Sequence, residues 1–489
     1  MNASRSPLRP TGALAVALAL AGCASVPDLG PKPAPRAAGD VAATRSLGAA
    51  AAAPAAAWPA DQWWSAYGDP QLAALIDEGL RNSPDVAAAT ARFRRAQGMA
   101  QQAGAALLPS IDANGTASID KQSYNNGIPK EFVPRGWQDR GGASIGAGFD
   151  LDLWGRNRAA LAAATSEARA AEIDAEQARL MLTTGIADLY ADLARLHALR
   201  DISRQTLELR SATNRLVADR ERNGLDTRGS VRQADATVAS ARAELSAADE
   251  AIALRRNQIA ALLGAGPDRG LDIARPQLAR LTPRGLPADV TTDLIGRRPD
   301  IAAARARTEA AASRIKVARA DFFPAIRLSA LIGVQSLGLN NLVESDSTYG
   351  SVGPAISLPI FHGGALSGAY RGARGSYDEA VASYDGSVLT AYREVADALT
   401  SQRALAQRLT DARAAVTAAE DAYAIARQRY EGGLSSYIDV LNVEDRLLVV
   451  RQSVAELDAR AFALDVALVR ALGGGFAAPA PAPKEDPHG

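Results

Sequence analysis

The residues able to do chemistry are few and scattered. Histidine occurs three times, at His197, His362 and His488, and cysteine once, at Cys23. A metal site draws two to four such ligands from short spacings, and no pair here has one, so the expected metal ligands are none. No Gly-rich loop ends in Gly-Lys-Ser or Gly-Lys-Thr, so no nucleotide cradle is expected. The chain has 54 acidic residues, but none is singled out as a general acid or base. The expectation is therefore no enzyme, no catalytic residue and no cofactor. That leaves the thiol of Cys23, which has no partner for an internal disulfide.

The segment around that thiol explains it. Arg5 and Arg9 precede "TGALAVALALAGC", an apolar run too short to span a bilayer and suited to a signal-peptide core. Leu20-Ala21-Gly22-Cys23 resembles a bacterial lipobox, with 1–22 as the signal peptide. An ordinary Ala-x-Ala cut with Cys23 as bystander is the alternative. The lipobox resemblance implies diacylglycerol on the thiol and an N-acyl chain on the new amino group, an anchor of several chains. Neither Ala24 nor Ser25 is the aspartate that would imply retention in the inner membrane, which favours the outer one.

Composition sets limits on the rest. With 54 basic and 54 acidic residues the chain is neutral, so no nucleic-acid partner is expected. Residues 23–60 are Pro- and Ala-rich and read as a strap or tether, and 477–489 as a frayed tail. No other apolar run is long enough for a transmembrane helix.

The chain contains itself twice. "SPDVAAATARFRRAQGMAQQAGAALLPSIDANG" from Ser83 matches "RPDIAAARARTEAAASRIKVARADFFPAIRLSA" from Arg298, and "RNGL" ending at Leu225 matches "EGGL" ending at Leu434. A period this long marks two repeats, 61–270 and 299–476, rather than a solenoid. Residues 271–298 lie between them. Each copy reads as Pro, helix, Pro, strand, loop, strand, long helix, Gly turn, helix.

Strands are expected at about 110–120, 143–153, 325–335 and 350–360, where apolar and polar residues alternate. Ile145, Phe149, Ile326 and Ile356 share the apolar set; Asp112, Asn114 and Asp120 belong to the other. About ten residues is the length of a membrane-spanning strand. A soluble sheet with one face on a core is the alternative. Four strands cannot close a barrel, and an open edge in lipid leaves peptide groups unpaired, so closure needs several chains; three would give twelve strands. Tyr124, Phe132, Trp137 and Tyr349 at one end, and Trp154, Phe322, Phe323 and Phe361 at the other, are expected to form two aromatic girdles.

Helices are expected at about 157–223, 227–264, 365–430 and 435–472, the longest roughly 100 Å at 1.5 Å per residue. Val440, Val443, Leu447, Val450, Val454 and Leu457 recur at alternating steps of three and four, as in a coiled coil. A plain antiparallel coiled coil is one reading; a helical tube continuing the barrel is the other.

"DQWWSAYGDPQLAALI" from Asp61, "FDLDLWGRNR" from Phe149, "GRRPDIAAARAR" from Gly296, "SLPIFHGGAL" from Ser357 and "RYEGGLSSYIDVLNVEDRL" from Arg429 together resemble the TolC and OprM type of outer-membrane efflux factors, in their lipoprotein branch. The resemblance implies a mainly α fold with a membrane β-barrel. A homotrimer would form a twelve-stranded barrel, a twelve-helix periplasmic tunnel and a small equatorial domain from about 61–83, 265–298 and 465–476. It implies an outer-membrane exit channel for small molecules, joined by a periplasmic adaptor to an inner-membrane transporter, with a proton-driven resistance-nodulation-division pump the first choice. Protein secretion through an ATP-driven exporter is the runner-up, and a coiled-coil scaffolding lipoprotein the alternative of another class.

The turns between long helices carry the last expectations. Gly224 and Gly433 suit left-handed helix caps. Capping does not explain the apolar Leu225 and Leu434 beside them. The resemblance implies that Gly224, Leu225, Gly433, Leu434, Ser435 and Ser436 form tips that receive the adaptor, and that neighbouring polar residues hold the tunnel shut. Tyr437 and Asp445, taken as sharing one helical face, are the candidates for that constriction.

Overall fold

Prolines, glycines and carboxylates set the boundaries of the elements. The structure, a computed structural model, describes residues 26–48, 56–277, 285–287 and 289–477; Cys23, the signal peptide and the tail lie outside them. Pro70 opens α1 (Pro70–Asn82) at the first helical position, where its missing N–H is not needed, and Asp69 caps it by accepting from Gln71 N at 2.9 Å and Leu72 N at 3.3 Å. Pro84 and Pro299 open α2 (Pro84–Ala105) and its repeat, which follows a short α5 (Val290–Arg297), as α6 (Pro299–Ala320); both are 22 residues. The long helices α3 (Arg156–Arg222) and α7 (Ala365–Glu431) are both 67 residues, and α4 (Arg228–Leu262) and α8 (Tyr437–Ala471) both 35. These three helices therefore keep the same lengths in both copies, whereas α1 has 13 residues and α5, which precedes the second copy's proline, has 8.

Two compact units are built from both copies. One takes in 93–171 and 304–384 with the leading segment to Pro35; the other takes in 36–92, 172–303 and the residues after 384.

The first unit holds a four-stranded sheet, in the order β1 (Ser110–Asp120), β2 (Gln138–Leu151), β3 (Ala325–Leu337), β4 (Thr348–Ser357), antiparallel throughout. β2 begins earlier than the expected 143, because β1 runs on to Asp120 and its ladder needs Gln138 opposite. It ends before 153, because the Asp152 carboxylate turns to accept from Asn157 N at 3.0 Å and Arg158 N at 2.9 Å, capping α3. β4 stops at Ser357, short of the expected 360, and Pro359 beyond it has no N–H for a ladder. Beside the sheet, Ala311 and Ile315 of α6 pack against Tyr377 and Val381 of α7. The leading segment lies on α7 as well: Arg374 donates to the carbonyls of Gly30 and Pro31, and Tyr377 Oη to that of Pro33 at 3.0 Å.

The second unit has the aromatic-rich core. Trp63, Trp64 and Tyr67 pack with Leu72 and Ile76 of α1, Ile186 and Tyr190 of α3, Ile259 of α4 and Phe462 of α8. Ion pairs tie its long helices in sequence: Asp249 and Arg200 join α4 to α3 (2.7 Å), Arg210 and Glu444 join α3 to α8 (2.9 Å), and Asp458 and Arg413 join α8 to α7 (2.9 Å).

Candidate functional site

The sheet register sorts most side chains by type in its central rows, Leu331 among Asp112, Gly146 and Ser351 being the exception on the polar side. Ala113, Ile145, Ile332 and Gly350 stand across from one another, as do Ile111, Ala147, Ala330 and Val352. Phe149 meets Leu328 and Pro354, and Leu151 meets Ile326 and Ile356. All four residues expected to face lipid thus lie on one side. The opposite side carries Asn114, Ser144 and Gly333 in one row, with Asp150 near Arg327 (3.7 Å) and Asp120 near Arg140 (3.9 Å).

Among the described residues nothing covers the central rows of that apolar side. β1 is exposed along its whole length, and Ile145, Ile332 and Val352 are 55%, 69% and 86% exposed. A soluble sheet would rest one face on a core; this one has two bare faces and two unpaired edges, β1 and β4. Among the described residues no helix is long and apolar enough to cross a membrane.

The aromatic ends differ from expectation at three positions: Tyr349 pairs with Gly333 in the row of Asn114 and Ser144 and so stands on the polar side, Tyr124 is half-buried with its hydroxyl accepting from Gly136 N, and Phe322 is turned inward. Phe132, Trp137 and Tyr349 are exposed at the loop end, and Trp154 and Phe361 at the helix end. Phe322 is a correction: it is buried and packs edge-on against Tyr370 at 6.2 Å, so it belongs to the interior and not to a girdle. Its neighbour Phe323 stacks on Trp154 at 4.8 Å, whose Nε1 donates to the Pro324 carbonyl at 2.7 Å.

The two helix turns share one geometry. Leu225 N donates to Arg220 O and Leu434 N to Arg429 O, both at 2.8 Å, while Gly224 and Gly433 sit at φ +73° and +74°. These are Schellman caps. Each leaves its leucine bare, Leu225 at 66% and Leu434 at 73% exposed. Thr227 caps α4 by accepting from Ser230 N at 3.2 Å; Ser436 and Asp439 form a capping box on α8. Ser435 is half-buried beside it.

Three residues that sequence reasoning missed tie one turn to the other. Tyr430 Oη donates to Asp226 Oδ2 at 2.6 Å, and Arg220 lies over the Tyr430 ring at 4.8 Å while donating to Glu431 O at 3.2 Å. Burial pushes the Asp226 carboxyl up, but hydrogen bonds from Tyr430, Ser230 and the Thr227 N–H, with the Arg220 charge, outweigh it and hold the group below its ordinary value. All three flank the turns in sequence, but only their positions, not their pairing, could be read there.

The constriction pair needs correction. Tyr437 is buried with Val217, Ala234, Tyr430 and Val440, its hydroxyl 3.4 Å from Thr237 Oγ1. Asp445 is 57% exposed and accepts from Arg210 Nη2 at 2.8 Å. Eight positions at 100° per residue set the second side chain about 80° round the helix from the first, and burial separates them: Tyr437 is enclosed and Asp445 is open to solvent. Tyr437 is a packing residue. The neighbour of Asp445, Glu444, is 2% exposed and takes Arg210 Nε at 2.9 Å. Burial, the largest influence, pushes the Glu444 carboxyl up against the opposing pull of Arg210. Among the described residues no three His, Cys, Asp or Glu are grouped as a metal site.

The profile of the outer membrane efflux protein family matches residues 75–265 and 290–474. The outer membrane protein VceC of Vibrio cholerae is 45% identical, with a TM-score of 0.81 over 86% of this chain and 100% of that one. The open-state outer membrane channel MtrE of Neisseria gonorrhoeae is 25% identical, with a TM-score of 0.71 over 83% and 90%. The probable efflux pump outer membrane protein SepC of Pseudomonas putida is 31% identical over 95% of this chain and 96% of its own. The chain belongs to the outer membrane efflux protein family, and its fold is that of the TolC and OprM type of channel.

Proposed function

We propose that this member of the family is the outer-membrane exit channel of a tripartite efflux pump, passing small molecules through a tube that it builds as a homotrimer. One observation carries the reading: a four-stranded sheet with an apolar side, a polar side, no cover on either among the described residues and two open edges. In lipid the open edges would cost several kcal/mol for each unpaired peptide group, and a ring of three chains removes them. The polar side then lines water.

Energy comes from an inner-membrane transporter of the resistance-nodulation-division type, reached through a periplasmic adaptor that docks on Leu225 and Leu434. What supports the docking is the pair of bare leucines held by rigid caps. Asp445, bridged to Arg210, is the remaining candidate for the resting constriction. Acylation at Cys23 anchors the chain beside its barrel, a reading supported by the way Arg374 and Tyr377 hold Gly30 to Pro33 on α7.

The test is a strain whose only exit duct is the Leu434→Glu variant. Drug resistance is expected to fall to the level of the deletion strain, while trimer quantity and conductance in a planar bilayer stay normal. Unchanged resistance would remove the docking claim; trimers that never conduct would remove the channel.

A further inference from the structure

Lysine is scarce in this chain, with five among 489 residues, and two of the five, Lys121 and Lys130, fall in the loop 121–137 between β1 and β2. Arg135 adds a third cation and Glu131 is the loop's one acid. All three cations are exposed, and none forms an ion pair among the described residues. Between them stand Ile128, Phe132 and Trp137, at 42%, 75% and 69% exposed.

The loop is folded. Gly136 N donates to the Tyr124 hydroxyl oxygen at 3.0 Å, Gln138 Nε2 donates to Arg135 O at 2.7 Å, and Val133 is buried. It leaves the ladder at the Asp120 and Gln138 pair, where the apolar rows end, and Trp137 has the parity of Ile145 and Phe149. The Trp137 ring therefore continues the lipid side, with Phe132 exposed in the same loop and the cations beside it. The matching loop between β3 and β4 differs in sign: residues 338–347 carry Glu344 and Asp346 and no cation.

We propose that loop 121–137 is a binding surface for the phosphorylated glycolipid of the leaflet at the loop end of the barrel. Lys121, Lys130 and Arg135 hold the phosphates, and Phe132 and Trp137 enter the acyl boundary. The inference rests on the channel reading, because only a membrane barrel gives the loop a leaflet. Unpaired cations beside exposed rings fit an anionic headgroup over an apolar layer, and an acidic second loop leaves one such surface per chain.

The probe is bis-phosphorylated lipid A added to the full-length protein in detergent, with bound lipids counted per trimer by native mass spectrometry. The triple variant Lys121→Gln, Lys130→Gln, Arg135→Gln is expected to bind roughly a hundredfold more weakly, about fivefold per charge. Its trimer quantity and bilayer conductance should match wild type, which shows an intact barrel. Equal binding by the triple variant, equal binding of dephosphorylated lipid A, or equal binding of phosphatidylglycerol would each overturn the proposal. Wild-type protein that forms no conducting trimer would overturn the channel reading beneath it, a separable failure.

Discussion

Asp188 and Asp397 occupy matching positions in the two 67-residue helices, and they live in different worlds. Burial pushes the Asp188 carboxyl up to about 6, with the Arg470 charge pulling the other way. Asp397 is 64% exposed and takes Arg393 at 2.9 Å one turn away. The same contrast, reversed, separates α4 from α8. Glu444 is 2% exposed against Arg210, whereas its counterpart Asp235 is 44% exposed and pairs with Arg232 at 3.2 Å. Duplication kept the lengths of the long helices and let their side-chain surroundings diverge. Each helix is fitted to its neighbours, and α8 has α3 on one side and α7 on the other.

The sharpest check of what was kept is at the glycines ending α4 and α8. A Cβ at Gly264 would overlap the Asn82 carbonyl, and one at Gly473 the Arg297 carbonyl, each with φ in the left-handed region. Gly264→Ala and Gly473→Ala should each cost more than about 3 kcal/mol and deplete assembled protein in membrane extracts. A copy that tolerates alanine would show that the repeats have parted in backbone as well.

The strands come next. Ile145→Arg in the first copy and Ile332→Arg in the second, which stand in one row, should cost alike, about 2 to 4 kcal/mol per site at mid-membrane, while Ser144→Arg on the polar side is accommodated. The measurement is heat-resistant trimer on gels of outer-membrane fractions. Equal yields of Ile145→Arg and Ser144→Arg would cancel the assignment of faces.

Glu444→Ala should lower the thermal dissociation midpoint by an amount matching about 3 kcal/mol, because it leaves the Arg210 guanidinium buried with only the exposed Asp445 as partner. Asp235→Ala should fall in the range of a surface pair, about 0 to 1 kcal/mol. Equal shifts would place Asp235 in a buried setting in the assembled protein.

The smallest effect tests Asp188 itself. Its folded pKa stands above the unfolded value of 3.8, so its contribution to stability is full below about pH 4 and is lost as pH rises through about 6. Asp188→Asn should therefore raise the melting midpoint at pH 7.5, by about 1 to 2 kcal/mol after allowance for partial exposure, and the gain should vanish near pH 4. Asp397→Asn should change nothing at either pH.

Much of the fold could be read from the sequence because it is periodic. Pro84, Pro299 and the two Gly-Leu turns bound helices whose lengths follow from counting, and alternation alone sorted Ile145 from Ser144. Periodicity names a face and leaves open what lies against it. Tyr437 carries a hydroxyl beside a predicted tip, which in sequence looks like a tunnel residue; the apolar cluster that buries it comes from helices distant in the chain. Arg210 and Glu444 escaped notice for the same reason. Both ends of β2 are set by local effects that a two-residue period cannot express, a partner strand's length at one and a capping carboxylate at the other.

The two unpaired edges of the sheet bear on inheritance. A chain that needs a copy of itself on either side to finish its wall shares every defect with its neighbours. In a cell carrying one sound and one damaged gene, most rings would include a damaged member, so a variant that assembles but cannot conduct would behave as dominant over the sound gene. A variant that fails at the edge itself would be excluded from the ring and would behave as recessive.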